Sequence, residues 1–548
     1  MTPDLAAAAE LVDLADAMVA TALTVLNGSG GPDAHQVLAY DVAHAASAAA
    51  TARVLLDYGA KGDTSTAGSP AGTEAALACA FAADMLHDLM DSVAGREALW
   101  GTDPHAFDAA LPTLAAYRDP DFLAGLAETP GPRHLDADME LVQDTFRSFA
   151  TNVVAPHAER VHRTNADVPA EIISGLAELG AFGLSVPAEY GGSSEGGVSE
   201  YLAMVIATEE LSRASLAIGG SLITRPEILT RALVKGGTEE QKLEWLPKLA
   251  SAEVLAAVAV TEPDFGSDVA GLKVTATPAA GAGGEPGYVI NGVKTWCTFA
   301  ARANALMLLA RTDPDRTKAH RGLSLFIVPK PEGAGHGFEF TQDGGAAGPG
   351  RMEGRAIDTI GYRGMHSYEV AMANWWVPAA NLIGGDEGLG RGFYYQMEGF
   401  ENGRLQTAAR AIGVMQAAYE AALDYARNRT VFGTDIIDYQ LTRAKLGRMA
   451  VLIQAARQCA YHVAALMAQG HGAAAGRQDA GVMASMAKAY VCNAAEWVTR
   501  EAMQIHGGFG YAEEYAVSRL YLDARVLSIF EGADETLCLK VIARRLLA

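Results

Sequence analysis

The sequence predicts an α+β fold, mostly α: a block of helices, then a helical domain, an antiparallel β domain and a final helical domain. Three observations carry that reading. Alanine-rich stretches with apolar residues at helical spacing occupy the beginning and the end of the chain. Short β-rich runs separated by Gly, Pro and Asp turns crowd one central block, as strands of an antiparallel sheet do. A chain of 548 residues is also too long for one ordinary core.

The expected boundaries are 1–132 for an N-terminal helical extension, 133–256 for the helical domain, 257–384 for the β domain and 385–548 for the C-terminal helices. In AAAAELVDLADAMVATALTVL, the residues Leu11, Ala15, Met18, Ala22 and Val25 share one helical face. HQVLAYDVAHAASAAATARVLLDYG reads as a second helix with Gly59 as its C-cap. GTEAALACAFAADMLHDLMDSVAG reads as a third, and AETPGPRHLDAD as the linker that follows. The expected strands are VLAAVAVT, GYVINGVKTWCTF, ALMLLART, LSLFIVP and SYEVAMANWWVP, with Trp375 and Trp376 as strand core. DGGAAGPGRMEGR reads as a flexible loop and GDEGLGRGF as an interdomain linker. Long helices return in ENGRLQTAARAIGVMQAAYEAALDYARNR and AGVMASMAKAYVCNAAEWVTREAMQIHGG.

The net charge of −23 argues against nucleic acid as a partner, because phosphate backbones need basic faces. The five cysteines are scattered, with no C-x-x-C, so neither a disulfide framework nor a zinc site is expected. The acidic start MTPDLAAAAELVDLADAM lacks a cationic leader, and no apolar run reaches the roughly 20 residues of a membrane helix. A cytoplasmic protein is expected.

Three motifs bear on chemistry: VTEPDFGSD (Val260 to Asp268) at a strand end, KTWCTF (Lys294 to Phe299) on the next hairpin, and QIHGGFGYAEEYAVSRLYLDARVLSIFEG (Gln504 to Gly532). In the last, an apolar run ends on a carboxylate, Glu531, with a glycine beside it. With RTVFG (Arg429 to Gly433) and Gln440, these motifs, in order and at this spacing, resemble the acyl-CoA dehydrogenase family over about residues 136 to 548.

The resemblance implies a helical domain, a β domain and a C-terminal four-helix bundle. It implies FAD bound in extended form, a neighbouring subunit that completes the site, and electron-transferring flavoprotein as acceptor. It implies oxidation of an acyl-CoA thioester between Cα and Cβ. By the same resemblance Val258, Val260, Thr261, Ser267, Trp296 and Thr298 contact the flavin side of the cofactor, with Ser267 also near the thioester. Arg429, Phe432, Gln440, Gln504, Gly507, Gly508 and Glu535 hold the dinucleotide across the dimer. Glu531 is the catalytic base, and Gly532 leaves room for the thioester. The implied donors to the developing enolate are the Glu531 backbone N–H and a flavin hydroxyl, and such a donor is worth about 3 kcal/mol. Some relatives carry the base just before the residue equivalent to Arg404; here that position is Gly403, which favours Glu531. Glu401, one turn away, lines the CoA side or packs structurally. Phe299 and Ala533 depart from the common asparagine and threonine, and His506 reads as a structural cap.

SLITRPEILTRALVKGG supports the acyl pocket in this family, and Arg225 falls where small or uncharged groups meet aliphatic tails. A buried guanidinium is costly unless an anion meets it. The expected substrate is therefore a short branched dicarboxylic acyl-CoA, with Arg225 on the second carboxylate, Arg404 adding positive charge and Arg231 a weaker candidate. The alternative is that Arg225 pairs with Glu227 or another protein acid, which leaves a monocarboxylic substrate. Glutaryl-CoA dehydrogenation and acyl-CoA oxidase chemistry are the rival activities. The extension resembles the C-terminal helices: VAHAASAAATARVLLDYG parallels VMQAAYEAALDYARNRTVFG. It is expected either to cover a bundle face within its own chain, leaving a homodimer, or to dock another protein.

Overall fold

The computed structural model describes residues 2–64, 72–343, 345–469 and 479–548. The chain divides into two compact units.

The first unit comprises 1–145, 212–214 and 404–548, so the extension and the C-terminal helices fold together. Its opening helices are α1 (Leu5–Gly28), α2 (Gln36–Ala60) and α3 (Thr73–Val93). The Asp4 carboxylate caps α1, accepting from the N–H groups of Ala6 and Ala7 at 2.9 and 3.1 Å. The predicted face is buried at Leu11, Ala15, Met18 and Ala22, while Val25 is only half-buried.

Both α2 and α3 pack on the Gln440–Ala468 helix, and α2 also packs on the Ala480–His506 helix. Alanines make that approach close: Ala39, Ala43 and Ala46 on α2 are fully buried. Gly59 is not the cap predicted for it, since α2 continues through Ala60. A Cβ there would lie 2.8 Å from Leu5 Cδ2 and 3.0 Å from Ala78 Cβ, so the glycine admits α1 and α3. The chain leaving the extension is held by side chains. Tyr419 donates to the Ala127 carbonyl at 2.7 Å, and Gln454 and Tyr58 donate to that of Pro132 at 2.9 and 3.0 Å.

The second unit comprises 146–211 and 215–403 and holds the main sheet. Its strands are β1 (Ala256–Ala259), β2 (Thr275–Ala280), β3 (Pro286–Thr298), β4 (Ala305–Arg311), β5 (Leu323–Pro329), β6 (Gly337–Gln342), β7 (Gly350–Ile357) and β8 (Ser367–Pro378). The order is β1-β4-β2-β3-β8-β7-β6, with β5 also on β4. Most pairs are antiparallel, but β1 runs parallel to β4, and β2 meets β4 in parallel at Thr275 and Arg311. The sheet is thus mixed rather than purely antiparallel. β1 and β4 are apolar almost throughout and β4 is buried along its whole length, the pattern of strands covered on both faces.

Part of the predicted loop DGGAAGPGRMEGR is strand: from Gly350 it forms β7, paired with β6 and β8, while Gly344 lies outside the described residues. Trp375 is buried on β8, as expected of strand core, and Trp376 is half-buried. The Thr224–Gly236 helix packs Ile228, Leu229 and Leu233 into the same core as Ala256 and Val260.

Candidate active site

In the second unit, β1 delivers the chain to a loop that starts at Val260, and β3 returns beside it. The Thr295 N–H donates to the Thr261 carbonyl at 2.8 Å. Beneath them lies a fully buried ion pair. Lys294 Nζ is 2.9 Å from Glu262 Oε1 and donates to the Val260 carbonyl at 2.8 Å. Glu262 also accepts from the N–H groups of Lys273 and Val274 at 2.7 and 2.9 Å. Burial pushes the Lys294 amine down to about 8, against the attraction of Glu262.

The register of β3 on β8 shifts between Lys294 and Cys297. A bulge of this kind re-aims a side chain. Here it puts Trp296 at φ 56, with the residue 54% exposed. Phe299 follows at φ 71, its N–H shared by the Met365 and His366 carbonyls at 3.0 and 2.8 Å. Between them the Thr298 hydroxyl is buried, 3.1 Å from that of Ser367. Val260, Thr261, Trp296 and Thr298 therefore converge. Val258 is half-buried on β1, and Ser267 sits exposed farther along the Val260 loop.

Arg225 is 7% exposed near the start of the Thr224–Gly236 helix and donates to the Tyr362 hydroxyl at 3.4 Å. Glu227 pairs with Arg231 at 3.4 Å. Arg231 also binds Glu200 and lies over the Tyr201 ring, so it is engaged by protein groups. Glu401 is half-buried in this unit, whereas Arg404 belongs to the other.

In the first unit, the apolar run ends with the Ala516–Leu527 helix. Glu531 follows at φ 55 and Gly532 at φ 99, both left-handed. Glycine adopts this freely, but a residue with a Cβ holds it only where the surroundings over-determine it. They do so here. Lys488 Nζ donates to the Gly532 carbonyl at 2.6 Å. The buried Arg410 guanidinium stacks 4.7 Å from the Phe530 ring. Arg404 donates to Ser485 at 3.2 Å, one turn before Lys488. Burial lowers the Lys488 pKa, Cys492, Asp534 and Glu531 oppose that, and Arg404 adds to it. Glu531 itself is half-buried and Glu535 exposed.

Lys488, Arg410 and Ser367 were not among the predicted site residues. Lone cations inside the apolar stretches MASMAKAYV and TAARAIGV were the signal available for the first two.

The remaining predicted residues gather elsewhere in this unit. Arg429 and Phe432 lie on a two-stranded hairpin whose tip, Phe432, is 98% exposed at φ 53. Gln504, Gly507 and Gly508 lie at the C-terminal end of the Ala480–His506 helix, where His506 stacks on Tyr425 at 4.3 Å and donates to the Ala502 carbonyl. The C-cap of this helix is Gly507, whose N–H donates to the Gln504 carbonyl, rather than the expected His506. Gln440 bonds to Asp121 of the extension. At 1.5 Å per residue, Lys488 and Gln504 stand about 24 Å apart along one helix.

Family models place an acyl-CoA dehydrogenase N-terminal domain at 136–253, a middle domain at 257–374 and a C-terminal domain at 390–547. The chain is 45% identical to (2S)-methylsuccinyl-CoA dehydrogenase of Cereibacter sphaeroides, over 76% of its own length and 71% of the relative's. It is 35% identical to mitochondrial isovaleryl-CoA dehydrogenase of Solanum tuberosum, over 73% and 88%. The fold matches that of a glutaryl-coenzyme A dehydrogenase solved with glutaryl-CoA at a TM-score of 0.65 and 30% identity, over 75% and 95%.

Members of this family depend on FAD. The residues present fit such a group: the outward Trp296 indole offers a flat aromatic face, with the Thr298 and Ser367 hydroxyls behind it. Among the described residues no helix is long and apolar enough to cross a membrane. The chain belongs to the acyl-CoA dehydrogenase family, oxidoreductases that act on CH–CH bonds.

Proposed function

We propose that this protein oxidises a short branched dicarboxylic acyl-CoA, (2S)-methylsuccinyl-CoA, to mesaconyl-CoA, as a cytoplasmic homodimer of the ethylmalonyl-CoA pathway that passes electrons to electron-transferring flavoprotein. Glu531 removes the α-proton as general base. Its left-handed backbone, followed by Gly532 at φ 99, makes the tight turn beside which the thioester carbonyl is to lie. Bound FAD supplies the acceptor for the β-hydrogen and its electron pair. Val258, Val260, Thr261, Ser267, Trp296 and Thr298 hold the flavin side.

Arg429, Phe432, Gln440, Gln504, Gly507, Gly508 and Glu535 serve the dinucleotide across the dimer. The span of about 24 Å from Lys488 to Gln504 and the exposed Phe432 tip support assigning most of this set to a second subunit's cofactor. Gln440 is the least favourable member, because Asp121 already engages it.

The observation that carries the substrate is Arg225, a cation buried to 7% exposure on the helix that packs beside β1. A substrate carboxylate would give its guanidinium a short charge-assisted bond. Arg404 adds positive charge, and Glu401 and Gly532 shape the CoA side. The similarity to the Cereibacter enzyme points the same way. A glutaryl ester also carries a second carboxylate, and the fold match to a glutaryl-CoA complex keeps it in the comparison.

The test is turnover with methylsuccinyl-, glutaryl-, isobutyryl- and butyryl-CoA, with products identified by mass spectrometry. Mesaconyl-CoA as the dominant product supports the reading. A preference for butyryl- or isobutyryl-CoA sinks it, and crotonyl-CoA with carbon dioxide from glutaryl-CoA moves it to the decarboxylating branch.

A further inference from the structure

The loop of Glu531 is gripped from the N-terminal extension. Tyr40 and His44 lie one turn apart on α2, their rings edge to face at 4.6 Å. Both reach the same atom: the Tyr40 hydroxyl donates to Asp534 Oδ2 at 2.6 Å, and His44 Nε2 lies 2.9 Å from it. Asp534 is nearly buried. Burial pushes its carboxyl up, but His44, Tyr40 and Asn493 outweigh that and hold it below its ordinary value, so it is a carboxylate at neutral pH.

Asp534 stands three residues after Glu531. Its backbone N–H donates to the Ser528 carbonyl at 3.1 Å, which closes a short loop with Glu531 at its middle. Lys488 holds that loop at Gly532, and Tyr40 and His44 hold its exit. Next to the Lys488 grip, Glu531 sits at φ 55, a conformation that L residues avoid, and Ala533 joins Gly532 to the Asp534 grip in an extended conformation. A strained conformation persists only while its supports do.

The geometry points to Tyr40 and His44 as positioning residues for Glu531, acting through Asp534. The extension is then part of the catalytic apparatus, as well as a cover for the Gln440–Ala468 and Ala480–His506 helices. This inference rests on the reading of Glu531 as the base. The Arg53 bonds of α2 have no such reach: they join Asp13 and Asp16 on α1 at 2.8 and 2.6 Å, within the extension.

The experiment uses the full FAD-loaded chain and the variants Tyr40→Phe, His44→Ala, His44→Gln, Arg53→Ala and Glu531→Gln. Anaerobic flavin bleaching is timed with methylsuccinyl-CoA and with its α-deuterated form, and backbone hydrogen exchange is followed over Ser528 to Asp534. Tyr40→Phe and His44→Ala are expected to slow bleaching about 10- to 100-fold with little change in KM, the penalty of a small misplacement. The α-deuterium isotope effect rises, because proton removal becomes more limiting, and exchange in the loop quickens. His44→Gln, which can still donate, recovers part of the rate, and Arg53→Ala matches the parent.

Bleaching at the parent rate in Tyr40→Phe and His44→Ala, with Glu531→Gln inactive, overturns the positioning role alone. So does a slower rate with an unchanged isotope effect and exchange altered only in α2, which describes a structural staple. Parent-like bleaching in Glu531→Gln removes the base assignment, and the positioning role with it.

Discussion

Lys488 and Gly532 are joined by a hydrogen bond of 2.6 Å between a buried amine and a backbone carbonyl. The bond fixes the Glu531 loop at Gly532, where the chain turns through φ 99. Replacing Lys488 with Met leaves the carbonyl without this donor, at a cost of about 1–3 kcal/mol. Calorimetry is expected to show a lower melting temperature, and bleaching by substrate slows as the loop relaxes. An unchanged melting temperature and rate would show that the anchor is incidental.

Arg225→Met separates recognition from chemistry. Removing a buried charge that meets a substrate carboxylate costs about 2–5 kcal/mol. Loss of kcat/KM for methylsuccinyl-CoA of at least about 30-fold is expected, with butyryl-CoA turnover unchanged or improved. An equal loss on both esters would place Arg225 in the scaffold.

Lys294 and Glu262 form the buried pair beneath the Val260 loop. Lys294→Met leaves Glu262 as an unpaired buried charge, at a cost of about 3–5 kcal/mol. Lys294→Met with Glu262→Gln is expected to recover part of it. The pH dependence follows from the lysine's depressed pKa, about 8 against 10.5. Between those values the unfolded chain binds the proton and the folded chain does not, so this group's contribution to stability rises with pH across that window. Denaturant unfolding from pH 7.5 to 10.5 is expected to show a shallower rise, or a steeper fall, in the double variant than in the parent. Parallel curves would contradict the assignment.

Gly59→Ala tests the close approach of α1, α2 and α3. Alanine gains up to about 1 kcal/mol in helix propensity. Its Cβ would nevertheless meet Leu5 at 2.8 Å and Ala78 at 3.0 Å. Overpacking of this kind costs about 1–3 kcal/mol. Net destabilisation is expected in thermal unfolding; a stabilised variant would mean that Leu5 simply turns aside.

The glycine also shows where sequence reading stops. A glycine near a helix end suggests a cap, and only the folded neighbours reveal that it sits at a helix crossing instead. The face of α1 was legible because Leu11, Ala15, Met18 and Ala22 repeat at helical spacing. The bond from the Thr295 N–H to the Thr261 carbonyl brings the motifs VTEPDFGSD and KTWCTF side by side, though their strands are not hairpin partners and the sequence does not state that neighbourhood. The parallel edge between β1 and β4 was not legible, because an apolar run does not state its direction. Nor was the link from Tyr40 and His44 to Asp534, which joins residues 494 and 490 positions apart. Such a contact exists only once α2 has packed on the C-terminal helices.

That packing has a consequence for assembly. The extension covers α2-facing surface on the Gln440–Ala468 and Ala480–His506 helices within its own chain. Light scattering at micromolar concentration is expected to give a mass near twice 57.3 kDa. A mass near four times that value would contradict the covering role.

The central claim is that Glu531 is the base. The most direct measurement is anaerobic bleaching of Glu531→Gln by methylsuccinyl-CoA, at matched FAD content. A positioned base contributes about 10²- to 10⁴-fold, and a fall of that order is expected with the flavin spectrum before mixing unchanged. Bleaching at the parent rate would contradict the account.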